Sequence, residues 1–331
     1  MTPPTALVSI VIPIMNEAEC LPKLLAELRI ACDPLEYAFE FLFVDDGSTD
    51  NTLEWLTVER ELDPRVCYIA LSRNFGHQAA LSAGLARARG TAVISMDGDL
   101  QHPPALIPLL LAQFAAGYEI VNTTRLATDG IGAGKRILSN AFYRTFNWLA
   151  SIRVEPGSAD FRLFARPVVE VLNEMPEVRK FLRGLVPWIG FRQISIRFTA
   201  PVRHAGRSKY GWIKSLRLAV DGMTAFSMNP LRKMALGGVF VAGLAFLYGF
   251  AAIFAYFFTE LTVPGWTSLL VSVLFLGGCQ LVCFGVLGEY IGRILEQVKG
   301  RPVYIIRATA GLDSTLQVHP VDASAGIRQA G

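Results

Sequence analysis

The chain has 331 residues, 52% of them hydrophobic and only 18% charged, with a mean hydropathy of +0.38. That is too apolar for an ordinary soluble protein, and the length allows one large domain or two small ones. A net charge of +3, with no basic run carrying interleaved aromatics, excludes nucleic acid as a partner.

Through Asn122 the sequence alternates between strand-like and helix-like segments. Strands are predicted at Leu7–Ile12, Phe39–Val44, Val66–Leu71, Thr91–Met96 and Glu119–Asn122, and helices near Glu17–Ala31, Thr52–Glu61, Gln78–Arg87 and Pro104–Ala115. Asp50 suits the cap of the second helix, and Pro103-Pro104 the start of the fourth. Such alternation predicts a right-handed βαβ series with a mostly parallel sheet. Beyond Asp129 the pattern is mixed, with a helix near Lys135–Ala150 and a strand near Arg192–Phe198. In Gly211–Met228, Ile213, Leu216, Val220 and Met223 recur at helical spacing, with Lys214, Ser215, Arg217 and Asp221 elsewhere. This amphipathic helix lies either in a membrane interface or against the soluble domain.

Two uncharged stretches follow, Ala235–Phe258 and Gly265–Gly288, each long enough to cross about 30 Å of hydrocarbon. Arg232 and Lys233 precede the first, and Arg293, Lys299 and Arg301 follow the second; the link between them carries only Glu260. The positive-inside rule then places both termini in the cytoplasm and the link outside. No secretory leader is expected, because strand-like sequence begins within the first ten residues. The cysteines, Cys20, Cys32, Cys67, Cys279 and Cys283, are odd in number and lack paired metal spacing, so they read as reduced packing residues. The polar tail after Ala310 reads as disordered.

Chemistry concentrates where the strands end. The apolar run Thr91–Met96 stops on Asp97-Gly98-Asp99; the first strand leads into Asn16-Glu17, and the second into Asp45-Asp46-Gly47-Ser48. In an open α/β sheet, ligands sit outside the carboxyl ends of the strands. Carboxylates gathered there without a partner repel, so a hard cation such as Mg²⁺ or Mn²⁺ bridging a diphosphate is the natural compensation. Gln101 can add a carbonyl oxygen to the same ion. His102 reads either as a turn residue before Pro103 or as a further ligand. The Gly130–Gly134 segment with Lys135-Arg136 imitates a P-loop, but the glycine spacing is one residue short and no Ser or Thr follows the lysine. With Arg125 it forms a basic cluster able to hold a second phosphate.

Taken in order, Val-Ile-Pro-x-x-Asn-Glu (11–17), Val-Asp-Asp-Gly-Ser (44–48), Ser-Arg-Asn-Phe-Gly (72–76) and Asp-Gly-Asp-Leu-Gln-His-Pro-Pro (97–104) resemble family 2 glycosyltransferases of GT-A fold. More narrowly they resemble the polyprenyl-phosphate glycosyltransferases, which include dolichol-phosphate mannose synthase. Asp160-Phe161-Arg162-Leu163, Arg203-x-x-Gly206-x-Ser208-Lys209-Tyr210 and Leu287–Arg293 extend the match. The stretch from Ser268–Ser272 through Arg301-Pro302 is most similar to bactoprenol glucosyltransferases.

The resemblance implies a Rossmann-like, mostly parallel α/β domain over residues 1–210, an amphipathic juxtamembrane helix at 211–229, two transmembrane helices within 230–292 and a cytoplasmic segment at 293–331. It implies that Pro13, Glu17, Asp45 and Asp46 hold the nucleoside, with Asp97 beside them, and that Asp99 and Gln101 bind Mg²⁺ or Mn²⁺. Arg203 and Lys209 would grip the donor diphosphate, and Arg125, Lys135 and Ser139 the acceptor phosphate. Asp160 matches a proposed base, or else a group that orients the acceptor. Met15 stands where relatives often carry an aromatic residue. The implied reaction moves a hexose, glucose from UDP-glucose by closest resemblance with N-acetylglucosamine, an amino-arabinose derivative, galactose or mannose as the alternatives, onto polyprenyl phosphate at the cytoplasmic face of the inner membrane. The partners it implies are a UDP-sugar, the lipid acceptor, the bilayer, further copies of the chain and a downstream flippase. A processive polysaccharide synthase is excluded, since no Gln-x-x-Arg-Trp motif and no further spans occur; a non-catalytic nucleotide-binding scaffold is the rival from another class.

Overall fold

The computed structural model describes residues 6–126, 157–177, 180, 182–199, 229–258 and 265–312. Strand β1 (Leu7–Ile14), helix α1 (Leu21–Cys32), β2 (Ala38–Asp45), α2 (Thr52–Leu62), β3 (Val66–Leu71), α3 (His77–Arg87) and β4 (Ala92–Ser95) form the expected alternating series. A 3₁₀ turn at Pro104–Leu106 leads into α4 (Ile107–Ala115), followed by β5 (Ile120–Arg125). Then come β6 (Ser158–Ala165), α5 (Arg166–Glu174), α6 (Leu182–Trp188) and β7 (Gln193–Phe198). Two long helices, α7 (Asn229–Phe258) and α8 (Trp266–Val298), precede β8 (Ile306–Ala310).

The strands make one sheet in the order β7-β5-β6-β4-β1-β2-β3-β8. β1 to β4, β5 and β7 run in one direction; β6 and β8 run against it. One core cluster gathers Ile10, Ile12 and Phe41 under α1 and α4, and the other gathers Val11, Leu42 and Val44 under α3, α5 and α6. The result is three layers, helices covering both faces of the sheet, as a sheet whose strands are apolar on both sides requires. α3 lies very close to β1: a Cβ on Gly84 would sit 2.2 Å from Val11 Cγ1, so only glycine permits that approach.

Three local differences from the sequence reading have physical causes. β1 continues through Pro13 to Ile14, because β4 ends opposite Val11 and the missing proline N–H faces no partner strand. α1 starts at Leu21 rather than Glu17, with Pro22 in its first turn and the Glu17 N–H given to Thr52 Oγ1 instead (3.2 Å). β6 and β8, which local pattern did not mark, enter the sheet antiparallel. β8 covers the β3 edge, and the Ser72 N–H donates to Ile305 O just before it (2.9 Å).

α7 and α8 are 30 and 33 residues long, and both contain windows apolar enough to cross a membrane. Large apolar side chains such as Phe240, Leu247, Leu281 and Phe284 face outward on them. Such a surface makes the two helices candidate membrane spans. The cysteines of the described residues are free, with Cys32 and Cys67 buried. The expected helices at 135–150 and 211–228 lie outside the described residues.

Candidate active site

Every parallel strand of the sheet delivers its carboxyl end to one edge, and β6 delivers its beginning to the same edge. There the loops after β1 and β2 are tied together. Asn16, at φ 55°, donates its N–H to Ser48 Oγ (2.9 Å), and its Oδ1 accepts the Thr49 N–H (2.8 Å). Asp50 accepts from Thr52 N (3.1 Å) and Ala18 N (3.3 Å) and so ties the loop after β1 to the start of α2, but the N-cap of that helix is Asn51, not Asp50 as expected. Pro13 and Asp45 are buried here; Asp45 Oδ1 accepts the Ser48 N–H (3.0 Å).

Asp46 turns the other way. Its Oδ1 accepts the Phe75 N–H (2.7 Å) and its Oδ2 the Gly76 N–H (2.9 Å), clamping the loop between β3 and α3. Burial pushes its carboxyl pKa up against those two bonds. Gly47, at φ 73°, makes the close approach possible: a Cβ there would lie 2.5 Å from the Arg73 carbonyl carbon. Met15, well exposed, meets Asn74 of the same loop.

At the end of β4, Asp97 is held from two sides. His77 Nε2 lies 2.8 Å from its Oδ1, and His102 Nε2 3.6 Å from its Oδ2. His102 Nδ1 accepts the Asp97 N–H (2.9 Å), which puts the ring proton on Nε2, facing the carboxylate. The His102 ring is buried and stacks on Phe161 at 5.3 Å. Its burial lowers the imidazole pKa against three nearby carboxylates, whereas at the exposed His77 the Asp97 carboxylate outweighs partial desolvation and raises it. Partial desolvation of the half-buried Asp97 is likewise outweighed by the histidines, and its carboxyl is held far below the ordinary range. Asp99 Oδ1 accepts the Gln101 N–H (3.2 Å) across Leu100, which adopts φ 60°. Gln101 Oε1 accepts from Arg125 Nη2 (2.9 Å), joining the end of β5 to the metal-type donors.

The β4–β6 register ends where Ser95 pairs with Arg162, and Asp160 stands two residues before Arg162 at the same edge as Asp97. Ser95 Oγ donates to Asp160 O (2.7 Å) and holds the strand there. The Asp160 side chain is gripped by the Arg183 fork, Nε to Oδ1 at 3.0 Å and Nη2 to Oδ2 at 2.9 Å. Arg162 Nη2 lies 3.9 Å from the same carboxylate. Burial of Asp160 is more than offset by these cations, so its pKa is lowered; the buried Arg162 falls to about 10. An aspartate held this way is a poor proton acceptor at neutral pH.

Residues 9–169 match the family description "Glycosyl transferase family 2". An uncharacterized glycosyltransferase of Bacillus subtilis, YkcC, is 39% identical over 92% of this chain and 95% of its own. The chain belongs to glycosyltransferase family 2. A Shigella flexneri protein named SfII prophage-derived bactoprenol glucosyl transferase is 40% identical to this glycosyltransferase over 91% of the chain and 97% of its own. A mannosyltransferase from Pyrobaculum calidifontis, solved in complex with GDP-Man and Mn²⁺, aligns over 89% of this chain and 87% of its own, with 15% identity and a TM-score of 0.43. The fold is the GT-A arrangement, a mostly parallel sheet with two apolar helices after the catalytic domain.

Of the residues singled out from sequence, the glycosyltransferase fold brings Pro13, Glu17, Asp45, Asp46, Asp97, Asp99, Gln101, Arg125 and Asp160 to one sheet edge. Lys135, Ser139, Arg203 and Lys209 lie outside the described residues. Among the described residues, no group of three or more His, Cys, Asp or Glu side chains forms a metal cage. Asp99 and Gln101 nonetheless supply the hard oxygen donors that Mg²⁺ or Mn²⁺ takes when substrate phosphate and water complete its shell, so the donor set fits such an ion. Sequence reasoning missed His77 and Arg183, and gave Arg162 no role beyond its place in the Asp160–Leu163 motif. A lone arginine inside the apolar segment Leu182–Val186 is the one local signal for Arg183, since such a charge needs a carboxylate nearby.

Proposed function

We propose that this glycosyltransferase moves glucose from UDP-glucose onto undecaprenyl phosphate at the cytoplasmic face of the membrane, inverting the anomeric carbon. The observation that carries this reading is the similarity to bactoprenol glucosyl transferases along about nine-tenths of the chain, the two apolar helices included.

The nucleoside lies over the ends of β1 and β2, against Pro13, Glu17, Asp45 and Asp46, the last acting through the loop it clamps. The diphosphate lies at β4 beside Asp97 and is gripped by Arg203 and Lys209. Arg125, Lys135 and Ser139 take the acceptor phosphate. Asp99 and Gln101 would hold Mg²⁺ or Mn²⁺, which would supply positive charge opposite the departing diphosphate.

An oxygen of the acceptor phosphate attacks the anomeric carbon in line. The new carbon–oxygen bond forms as the bond to the UDP oxygen breaks, and that bond's electron pair leaves with UDP. A phosphate monoester with its second pKa near ~6 is already a dianion at neutral pH, so no base need take a proton. Asp160, ionised between two arginines, serves as a fixed electrostatic group. The product, a lipid-linked glucose, then passes to a flippase, and the enzyme works as a homo-oligomer.

The test is to incubate the purified full-length protein and undecaprenyl phosphate with a panel of nucleotide sugars and to weigh the lipid products. Glucosyl phospholipid from UDP-glucose is the expected result. Product only from N-acetylglucosamine, amino-arabinose or mannose donors would move the assignment to that sugar. UDP binding with no lipid product from any donor would favour a scaffold.

A further inference from the structure

We propose that His77 is a positioning residue of the donor site, whose imidazole sets the orientation in which the Asp97 carboxylate meets the nucleotide sugar. The inference rests on the nucleotide-sugar reading above, and His77 lies one residue beyond the motif Ser72–Gly76 that helped to suggest it.

The backbone of Asp97 is fixed by its neighbours. Gly98 packs against the end of β1, where a Cβ would lie 2.7 Å from Ile14 Cγ2. The Asp97 N–H goes to His102 Nδ1 (2.9 Å), and the His102 ring is wedged against Phe161 (centroids 5.3 Å apart) and Phe198 (6.3 Å). These contacts place the main chain and leave the side chain its rotation. His77 removes that freedom, with Nε2 at 2.8 Å from Oδ1. An ionised carboxylate only accepts, so Nε2 is the donor. His102 Nε2, at 3.6 Å from Oδ2, is too far for a hydrogen bond and leaves that oxygen to a donor hydroxyl.

The His77 ring is itself placed by the fold. Gly76, the N-cap of α3, adopts φ 98°, a conformation open to glycine, and Asp46 Oδ2 takes its N–H (2.9 Å). α3 then runs along β1, the neighbour of β4 in the sheet, with the close approach at Gly84 and Val11. The first residue of α3 therefore reaches the end of β4. On the far side of the ring, Nδ1 faces Gln78 Nε2 (3.4 Å). A short path of bonds, from Asp46 through Gly76 and His77 to Asp97, thus joins the nucleoside side of the edge to the diphosphate side.

Exposure separates this role from packing. The His77 side chain is 41% exposed and that of Asp97 33%. An exposed pair of this kind contributes little to folding. His102, by contrast, is buried among aromatic rings, so its loss would disturb the core as well as the site. The chemistry explains why orientation matters. On the reading above Asp97 stands beside a diphosphate, and two anions in contact repel. A directed N–H on Oδ1 keeps the carboxylate from swinging toward the phosphates, and its ordering cost is met before the donor arrives.

The experiment uses the full-length enzyme in lipid nanodiscs, comparing His77→Ala, His77→Gln, His77→Phe, Asp97→Asn and the His77→Ala/Asp97→Asn pair. UDP affinity is measured by calorimetry with Mn²⁺ present, and UDP release is followed against UDP-glucose and against undecaprenyl phosphate. His77→Ala should weaken UDP affinity and raise the UDP-glucose KM together by about tenfold, the effect of losing one hydrogen bond to a charged group, with the acceptor KM within about twofold of wild type. His77→Gln, whose amide nitrogen can stand in for Nε2, should recover most of the loss. His77→Phe keeps a ring without the donor and should not. The double variant should be no worse than the worse single one, because His77 acts through Asp97. If His77→Ala does not fold, His77→Phe decides: a raised donor KM alone supports the proposal, and an unchanged one overturns it. Equal rises in donor and acceptor KM, a His77→Phe variant as active as His77→Gln, or losses that multiply in the double variant would also overturn it. Failure of the nucleotide-sugar reading looks different, because wild-type enzyme would then bind no UDP.

Discussion

Replacing Asp46 with asparagine tests whether its carboxylate holds the nucleoside-side loop. The side chain is 4% exposed, and each oxygen accepts one backbone N–H, from Phe75 and from Gly76. Asparagine keeps the shape and one acceptor, but turns its NH₂ toward the other N–H, donor against donor. One hydrogen bond to a charged group is lost, about 1.5–3 kcal/mol, and the remaining bond becomes a neutral one. Removing a buried charge offsets part of this, because burial already pushes the Asp46 pKa up. A net weakening near 1.5–3 kcal/mol makes local opening about ten- to a hundredfold more frequent. Hydrogen exchange read by mass spectrometry on peptides spanning Ser72–His77 should speed up by that factor, while the β1 and β4 peptides hold their rates. UDP affinity should fall with it. Exchange within about twofold of wild type, or acceleration spread evenly over the sheet, would refute the clamp.

Asp99→Asn should cut kcat by about a hundred- to a thousandfold with little change in thermal unfolding, since Asp99 stands past a strand end; turnover retained with Mg²⁺ or Mn²⁺ present would remove its metal role. Asp63, bonded by Arg65 and Arg29 at 3.0–3.1 Å, has its pKa lowered despite burial. Its contribution to stability is therefore complete above the unfolded carboxyl pKa of about 3.9 and is lost as pH falls through the lower folded-state value. Asp63→Asn should flatten the acid limb of the unfolding profile below about pH 4, and an unchanged limb would show that the ion pairs are energetically silent. In cells, on a background free of native cysteines, a membrane-impermeant thiol reagent should modify a cysteine at Glu260 and spare one at Ser48; the reverse pattern would invert the topology.

The sequence by itself carried whatever depends on short stretches of chain. The strands β1 to β5 and the helices between them were legible because apolar runs and capping residues repeat locally, and the two apolar helices because nothing else keeps lengths such as Ala235–Phe258 free of charge. The acidic edge was legible too: parallel strands must deliver Glu17, Asp46, Asp97 and Asp99 to the same side. Tertiary structure decided what those groups touch. The insertion of β6 between β4 and β5, from about 65 residues further along the chain, is a long-range pairing that no local period encodes, and it alone brings Asp160 to the edge that carries Asp97. Likewise β8 joins the sheet only after α7 and α8 have intervened. Asp46 reads from sequence as a ligand-facing carboxylate, and a rotamer choice turns it onto the Phe75 and Gly76 amides. His102 reads as turn or ligand until Phe161 and the Asp97 N–H fix its ring. The Arg183 fork needs α6 to fold back onto the start of β6. Burial and charge pairing across distant segments determine these contacts, because a buried charge takes whichever partner the packed chain brings within reach.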